Sequence, residues 1–336
     1  MDSSADLPAS STLEAFLAPD LDRAGFIAAW LRAREIPHTV VPLAGRRHVV
    51  IRFDQSAYDP LFRMKTLVAH YDRAPGTPGA NDNSAACFQL MLFAERLCRR
   101  ERERPEGKGL AHNVRIIFTD GEEAAGTKGV AGQGAYALGS GLRKLKMTED
   151  DVYVLDATGR GDALVLSTAC VAKKKHAARP AALDARLAAL HESATRIAQD
   201  AATGSWMTLL TPYSDDAGFL ASGIAAQVVT VLPRLEAEVL ARALAESGLD
   251  SGPAGGGTSD VAVRARPGTG LGREEIERAV SLNRKLPAGS PLADIIPETW
   301  RLMHTPSDCA RTLTSDAFVL MARFLDALAS SMEIAL

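Results

Sequence analysis

The sequence predicts an α/β protein in which helices cover both faces of one mostly parallel central sheet. Short apolar runs typical of buried strands alternate along the chain with longer segments of helical periodicity. The apolar run 114–118 stops at a polar, glycine-containing turn, as a buried strand does at the carboxyl edge of such a sheet. With 336 residues and 46% hydrophobic content, the chain is long and apolar enough to bury a large core.

The predicted elements follow in chain order. Residues 1–20 are serine-rich and predicted to be a loose leader, and residues 21–336 are predicted to form a single domain. The first helix spans 21–34, because apolar side chains recur there at helical spacing and Pro37 ends the pattern. The other predicted helices are 85–100, 183–201 and 316–330, and the predicted strands are 49–53, 66–69, 114–118, 152–155 and 226–232.

Residues 233–297 depart from this alternation. Two predicted helices, 235–246 and 273–286, lie on either side of a glycine-rich stretch, 252–272. A connection of this length usually has structure of its own or acts as a lid. We interpret it as an insertion in the domain.

Composition excludes several classes of protein. The formal charge of -3 and the pI near 6.2 provide no basic field for nucleic acid or an anionic membrane, so we expect a small substrate. The four cysteines, at 87, 98, 170 and 309, lack the spacing of a thiolate zinc site and are too sparse for a disulfide scaffold. No signal peptide or membrane span is evident, and we expect a cytoplasmic protein.

Two adjacent carboxylates, Glu122 and Glu123, follow the strand predicted at 114–118. Neighbouring carboxylates repel each other, so a metal cation, a partner charge or a raised pKa must compensate. Each of these explanations points to chemistry at the edge of the sheet.

Further side chains of the metal-binding type follow other strands or open loops. His70 ends a strand, and Asp72 two residues later is placed to accept a hydrogen bond from its second ring nitrogen. Asp82 lies in a turn before a helix, Asp156 follows a strand, and His304 lies in a late loop. Each residue alone also fits an ordinary polar role, such as a helix cap or a solvated helix start. Their joint occurrence favours a site.

These residues lie in motifs that resemble, in order from His70 to the carboxyl terminus, those of the M28 family of zinc metallopeptidases. The motifs are His70-Tyr71-Asp72, Gly79-Ala80-Asn81-Asp82-Asn83, Asp120-Gly121-Glu122-Glu123 with Gly126 and Gly129, Leu155-Asp156-Ala157-Thr158-Gly159, Ser214-Asp215-Asp216-Ala217-Gly218 and His304-Thr305-Pro306-Ser307-Asp308. The resemblance implies the zinc-dependent exopeptidase fold, a three-layer α/β/α arrangement with a mixed, mostly parallel sheet.

The resemblance also implies a metal site. Asp82 would bridge two zinc ions, with His70 and Asp156 completing one and Glu123 and His304 the other. Oxygen and imidazole ligands without thiolate suit Zn²⁺, with Mn²⁺ and Co²⁺ as alternatives.

The resemblance also suggests roles for residues that would not bind metal. Glu122 would be the general base, and Asp72 would orient His70. Asp215 or Asp216 would recognise the free α-amine of a substrate, or Asp215 would support the site from behind. Asp216 stands where many family members have histidine or tyrosine, which leaves the substrate side of the site open.

The leading hypothesis is a metal-dependent exopeptidase of the aminopeptidase type. It would hydrolyse the amino-terminal bond of a small peptide or aminoacyl amide through a metal-activated water, with Glu122 as base. One alternative is a glutaminyl cyclase, an enzyme with a single zinc. The chain resembles such enzymes in having Trp300 near His304. A second is a non-catalytic binding module of the same fold. Oligomeric state and the role of the insertion stay open.

Overall fold

The computed structural model describes residues 7–103, 111–123, 126–171, 179–247 and 271–334. Within these ranges, eight strands form one sheet. The strands are β1 (His38–Leu43), β2 (Arg46–Ile51), β3 (Lys65–His70), β4 (Val114–Thr119), β5 (Asp151–Leu155), β6 (Ala163–Ser167), β7 (Trp206–Leu209) and β8 (Ala226–Leu232). The α-helices are α1 (Ser10–Leu17), α2 (Arg23–Ala33), α3 (Ala85–Arg102), α4 (Gly134–Lys144), α5 (Ala181–Ala201), α6 (Asp215–Ala221), α7 (Arg234–Glu246), α8 (Arg273–Leu282), α9 (Glu298–Leu302) and α10 (Ser315–Ser330).

The sheet is mixed, with the strand order β1-β2-β4-β3-β5-β8-β6-β7. Its centre is parallel, because β3 pairs in parallel with β4 and β5, and β5 pairs in parallel with β8. Antiparallel pairing occurs between β1 and β2, between β2 and β4, and between β6 and β8. The parallel centre brings the carboxyl ends of β4, β3 and β5 to one edge of the sheet.

Helices cover both faces of the sheet. Every residue of β3 is buried, and its side chains alternate between two separate clusters. Leu67 packs in the cluster that contains residues of α3, α5 and α10, whereas Val68 packs in the cluster that contains residues of α4 and α6. A strand with both faces buried reads as a continuous apolar run, which is why the sequence pattern identified it. The three-layer α/β fold predicted from the sequence is confirmed.

Most predicted elements are present. The five predicted strands correspond to β2, β3, β4, β5 and β8, and the predicted helices to α2, α3, α5, α7, α8 and α10. The sequence analysis missed β1, β6, β7 and α4 among others. The helices α7 and α8 of the predicted insertion pack in a third cluster, together with residues of β6, β7 and β8. The glycine-rich stretch between them lies outside the described residues, except for its last two positions.

The prediction of a loose leader over residues 1–20 is wrong where α1 forms. Residues Ser10–Leu17 form a helix, and its side chains Leu13 and Phe16 are buried in the main core. The Phe16 ring lies 5.3 Å from the ring of Phe88 in α3. Burial of two large apolar side chains stabilises this short helix, which its serine-rich sequence alone did not indicate. In the described part of the chain, no helix has the length and apolar character needed to cross a membrane.

Arg23, the first residue of α2, connects the amino-terminal helices to the segment that follows β3. Its guanidinium is buried and donates hydrogen bonds to the carbonyl oxygens of Tyr71 (3.0 Å) and Pro78 (2.9 Å). Burial is the main cause that lowers the pKa of Arg23 to about 10, so the side chain stays charged at neutral pH. The helix α2 thereby holds the loop that leads to Asp82.

We expect Arg23→Met to destabilise the protein by about 2–3 kcal/mol, because two buried carbonyl groups would lose a charged donor. The free energy of unfolding in urea measures this loss. Arg32→Met is the matched control, since Arg32 lies exposed on the same helix and its loss is expected to cost less than about 0.5 kcal/mol. Equal effects of the two substitutions would contradict a specific role for Arg23.

Candidate metal centre

The candidate site lies at the carboxyl edge of the three central parallel strands. His70 is the last residue of β3, Asp156 directly follows β5, and Glu123 follows β4 after a short turn. Asp82 lies in the segment Ala80–Ser84 that leads into α3, and His304 follows α9. The structure therefore brings together all five residues predicted to bind metal.

These five residues form two groups that share Asp82. In the first group, the Nε2 atom of His70 lies 3.3 Å from Oδ1 of Asp82 and 3.8 Å from Oδ2 of Asp156. In the second, the Nε2 atom of His304 lies 3.2 Å from Oδ2 of Asp82 and 3.2 Å from Oε2 of Glu123. Within each group the potential ligand atoms all lie within 4.8 Å of one another. Because Asp82 directs one oxygen into each group, the geometry is that of a bridging carboxylate.

Within the described ranges, Glu123 Oε1 and Asp156 Oδ1 are buried atoms without a hydrogen-bond partner, whereas His70 Nε2 and Asp82 Oδ2 have only the contacts with charged groups given above. Buried polar atoms without partners are costly, and three buried carboxylates in contact with two imidazoles are the ligand set that divalent transition metals prefer. The residues present thus fit two cations.

Asp72 contacts both His70 and the turn that carries the two glutamates. Its carboxylate accepts hydrogen bonds from the backbone N–H groups of Glu122 (3.1 Å) and Glu123 (3.0 Å). The Nδ1 atom of His70 lies 3.2 Å from the backbone carbonyl oxygen of Asp72 and 3.6 Å from its carboxylate. The predicted hydrogen-bond acceptor for Nδ1 is therefore supplied first by the carbonyl group, while the carboxylate mainly fixes the glutamate turn.

Asp308 fixes the bridging residue and was given no role in the sequence analysis. Its buried carboxylate accepts hydrogen bonds from the backbone N–H groups of Asn81 (2.7 Å) and Asp82 (3.0 Å). Asn81 in turn accepts a hydrogen bond from the Gly159 N–H group at 2.7 Å, which ties this segment to the loop after β5. The only sequence signal for Asp308 was its place four residues after His304.

Asp215 and Asp216 are both buried, at 0% and 1% exposure. Asp215 accepts a hydrogen bond from the hydroxyl of Thr119, the last residue of β4, and Asp216 accepts one from the Ser214 N–H group at 2.9 Å. Burial raises the pKa of Asp215 to about 6 and that of Asp216 to about 7. Asp215 therefore supports β4, the strand that leads to the glutamate turn. Asp216 binds the backbone at the start of α6.

Glu122 belongs to neither ligand group. Its Oε1 atom accepts a hydrogen bond of 3.1 Å from the side-chain amide of Gln133, a residue that the sequence analysis did not single out. Burial is the main cause that holds the pKa of Glu122 well above its ordinary value, and the neighbouring carboxylate of Glu123 adds to the effect. Bound cations would act in the opposite direction and favour the ionised form.

With no cation bound, the carboxylates around His70 and His304 favour the protonated form of both imidazoles. Hydrogen bonds to Asp82 and Glu123 raise the pKa of His304 to about 11. Burial of His70 opposes its charged form, but the carboxylates of Asp156, Asp72 and Asp82 outweigh burial and hold its pKa well above the usual range. Since a metal binds neutral imidazole, each histidine must release a proton when a cation binds.

We therefore expect zinc binding at pH 7 to release at least about two protons per chain, and the apparent affinity to rise as the pH rises from 6 to 8. Calorimetric titrations in two buffers with different enthalpies of ionisation measure the number of protons released. Heats of binding that do not depend on the buffer would contradict the expectation.

Comparison with known proteins gives a family match and several similar folds. A sequence model described as Peptidase family M28 matches residues 49–260. No match was found among curated protein sequences.

Three solved structures illustrate the similarity of fold. The LapA aminopeptidase of Legionella pneumophila is 14% identical, with 96% of this chain and 71% of that chain covered and a TM-score of 0.55. A leucine aminopeptidase precursor from Bacteroides thetaiotaomicron is 13% identical, with coverages of 98% and 97% and a TM-score of 0.57. The glutaminyl cyclase of Porphyromonas gingivalis is also 13% identical, with coverages of 98% and 97% and a TM-score of 0.51.

Proposed function

The chain belongs to peptidase family M28, and from this premise we propose that it is a metal-dependent exopeptidase of the aminopeptidase type. The observation that carries the proposal is the pair of ligand groups sharing Asp82, with Glu122 beside them but part of neither. A site that held cations only for stability would have no need for a further, part-buried carboxylate next to its ligands.

The chemistry divides between the cations and the protein. Two zinc ions held by the two groups would lower the pKa of a shared water and polarise the scissile carbonyl group. Glu122 then accepts the proton of the attacking water and delivers it to the leaving amine, a role typically worth a factor of about 10² to 10⁴ in rate. Asp72 holds the backbone of Glu122 and Glu123 in place through its two hydrogen bonds.

We propose small peptides or aminoacyl amides as substrates. Burial of Asp215 and Asp216 favours a supporting role for both over recognition of the α-amine.

The decisive experiment measures hydrolysis of a panel of aminoacyl amides before and after removal of metal with a chelator. We expect chelation to abolish hydrolysis and added zinc to restore it, with about two zinc ions bound per chain at full activity. Absence of metal-dependent hydrolysis across the panel would refute the proposal. Failure to take up zinc at all would favour a non-catalytic binding module.

A glutaminyl cyclase is the second candidate. The group of Asp82, Glu123 and His304 could by itself hold the single zinc of such an enzyme, and the fold is similar to that of a known cyclase. Against this, the first group is complete, and Trp300 is buried in a cluster with residues of α7 and α8. Formation of pyroglutamate from a glutamine-led peptide, with one zinc per chain, would favour the cyclase.

A further inference from the structure

Gln133 lies beside Glu122 although the two residues are separated by eleven positions in the sequence. The residue is the N-cap of α4, but its side chain makes no capping hydrogen bond to the helix. It is 8% exposed and points instead toward the glutamate turn, where its Nε2 atom donates to Oε1 of Glu122. Glutamine is not one of the short side chains that cap helices, so its amide is free to make a contact elsewhere.

The backbone around Gln133 is fixed by contacts on both sides. Arg46, at the start of β2, donates a hydrogen bond of 3.0 Å to the carbonyl oxygen of Gly132. The Gly134 N–H group donates to the carbonyl oxygen of Gly121 at 3.4 Å. A methyl group on Gly134 would overlap the carbonyl oxygen of Asp120, so the chain passes there as close as glycine allows. These contacts hold the Gln133 backbone at a set distance from the glutamate turn.

In the hydrogen bond between Gln133 and Glu122, the glutamine amide must be the donor. A carboxylate accepts hydrogen bonds, so the amide nitrogen of Gln133 must face Glu122, and its oxygen must face away. That oxygen is buried and accepts no hydrogen bond from the described residues. The amide nitrogen of Gln133 therefore occupies one of the two carboxylate oxygens of Glu122.

We propose that Gln133 is a positioning residue that holds the Glu122 carboxylate with one oxygen bound and the other free to take a proton from water. The inference rests on the proposed function, in which Glu122 is the general base. A base must lie within hydrogen-bond reach of the proton it accepts, and a small misplacement lowers the rate strongly. A donor on a fixed backbone restricts the carboxylate to one rotamer without adding a charge.

The test compares Gln133→Met, which keeps the length of the side chain but removes the donor, with Gln133→Glu, which places a like charge against Glu122. For the zinc-loaded full-length protein acting on an aminoacyl amide, we expect kcat to fall about tenfold in Gln133→Met, which is the loss of one hydrogen bond to a charged group. We expect a larger fall in Gln133→Glu, because the two carboxylates repel each other. KM and zinc content are expected to change less than about twofold, since Gln133 belongs to neither ligand group.

Gln199→Met serves as the control, because Gln199 lies exposed in α5. Its kcat is expected to equal that of the wild type. A change in KM or zinc content as large as the change in kcat would overturn the positioning role, because it would indicate general damage to the site. An unchanged kcat in both Gln133 variants would also overturn the positioning role.

Crystal structures of zinc-loaded wild type and Gln133→Met give a readout that does not depend on activity. We expect one Glu122 rotamer in the wild type and two or more in the variant. A single, unchanged rotamer in Gln133→Met would refute the inference. If the wild type hydrolyses no substrate while the rotamers differ as expected, the proposed function fails and the positioning of Glu122 by Gln133 stands.

Discussion

Glu122→Gln is expected to leave the zinc content of the protein nearly unchanged while kcat for aminoacyl amide hydrolysis falls by about 10²- to 10⁴-fold. Glu122 belongs to neither ligand group, so its replacement removes no cation ligand. The amide of glutamine has nearly the same shape but cannot accept the proton of the attacking water. Elemental analysis of the dialysed protein and steady-state kinetics on the same preparation measure both quantities.

The matched control is the neighbouring substitution Glu123→Gln. Glu123 lies 3.2 Å from His304 in the second ligand group, so this variant is expected to bind one cation more weakly and to keep the other. Equal loss of zinc in the two variants would contradict the separate roles assigned to the adjacent glutamates. Full activity of Glu122→Gln would exclude it as the general base.

Asp82→Asn is expected to weaken the binding of both cations, by at least about 100-fold in affinity. Asp82 is the residue that contributes an oxygen to each group, and asparagine offers one neutral oxygen in place of two charged ones. Replacement of residues that only support metal ligands already costs about 10- to 100-fold in affinity, so loss of a shared ligand is expected to cost at least as much as the upper value. Competition with a chelator of known affinity measures the change.

Asp156→Asn is the control for this prediction. Asp156 belongs only to the group of His70, so this variant is expected to lose one cation and to retain the cation of the Glu123 and His304 group. The two variants then differ in stoichiometry, because Asp156→Asn retains one tightly bound zinc, whereas Asp82→Asn binds both cations weakly. Retention of one tightly bound zinc in Asp82→Asn would show that Asp82 does not bridge the two groups.

Three of the five strands found from the sequence are buried on both faces, but β2 is partly exposed, and the fully buried β6 was missed. β3, β5 and β8 are buried along their whole length, and such strands appear in the sequence as continuous apolar runs. β7 was missed because it has four residues and lies at the edge of the sheet, where three of them are partly or fully exposed. β1 was missed although it contains Val40-Val41-Pro42-Leu43, because a proline within an apolar run argues against a strand except at the edge of a sheet, which is where β1 lies.

The positions of the candidate ligands followed from strand ends and from resemblance to a family. Asp308 and Gln133, which support the site, could not be found in this way. Asp308 lies 226 positions from Asp82, and nothing in the local sequence of either residue indicates the hydrogen bond between them. Gln133 likewise reads as an ordinary residue before a helix, and only its burial and its 3.1 Å contact with Glu122 distinguish it.

The sequence by itself determined the layer architecture, the family and the residue types of the site, because burial pattern and motif order are local properties that can be read along the chain. The tertiary structure alone decided that Asp82 directs its two oxygens into different groups, that Glu122 stays out of both, and that the carbonyl group of Asp72 lies nearest to Nδ1 of His70. These are differences of a few tenths of an ångström to a few ångström between atoms from distant segments. They depend on how the strands, turns and helices pack together, which no local pattern specifies.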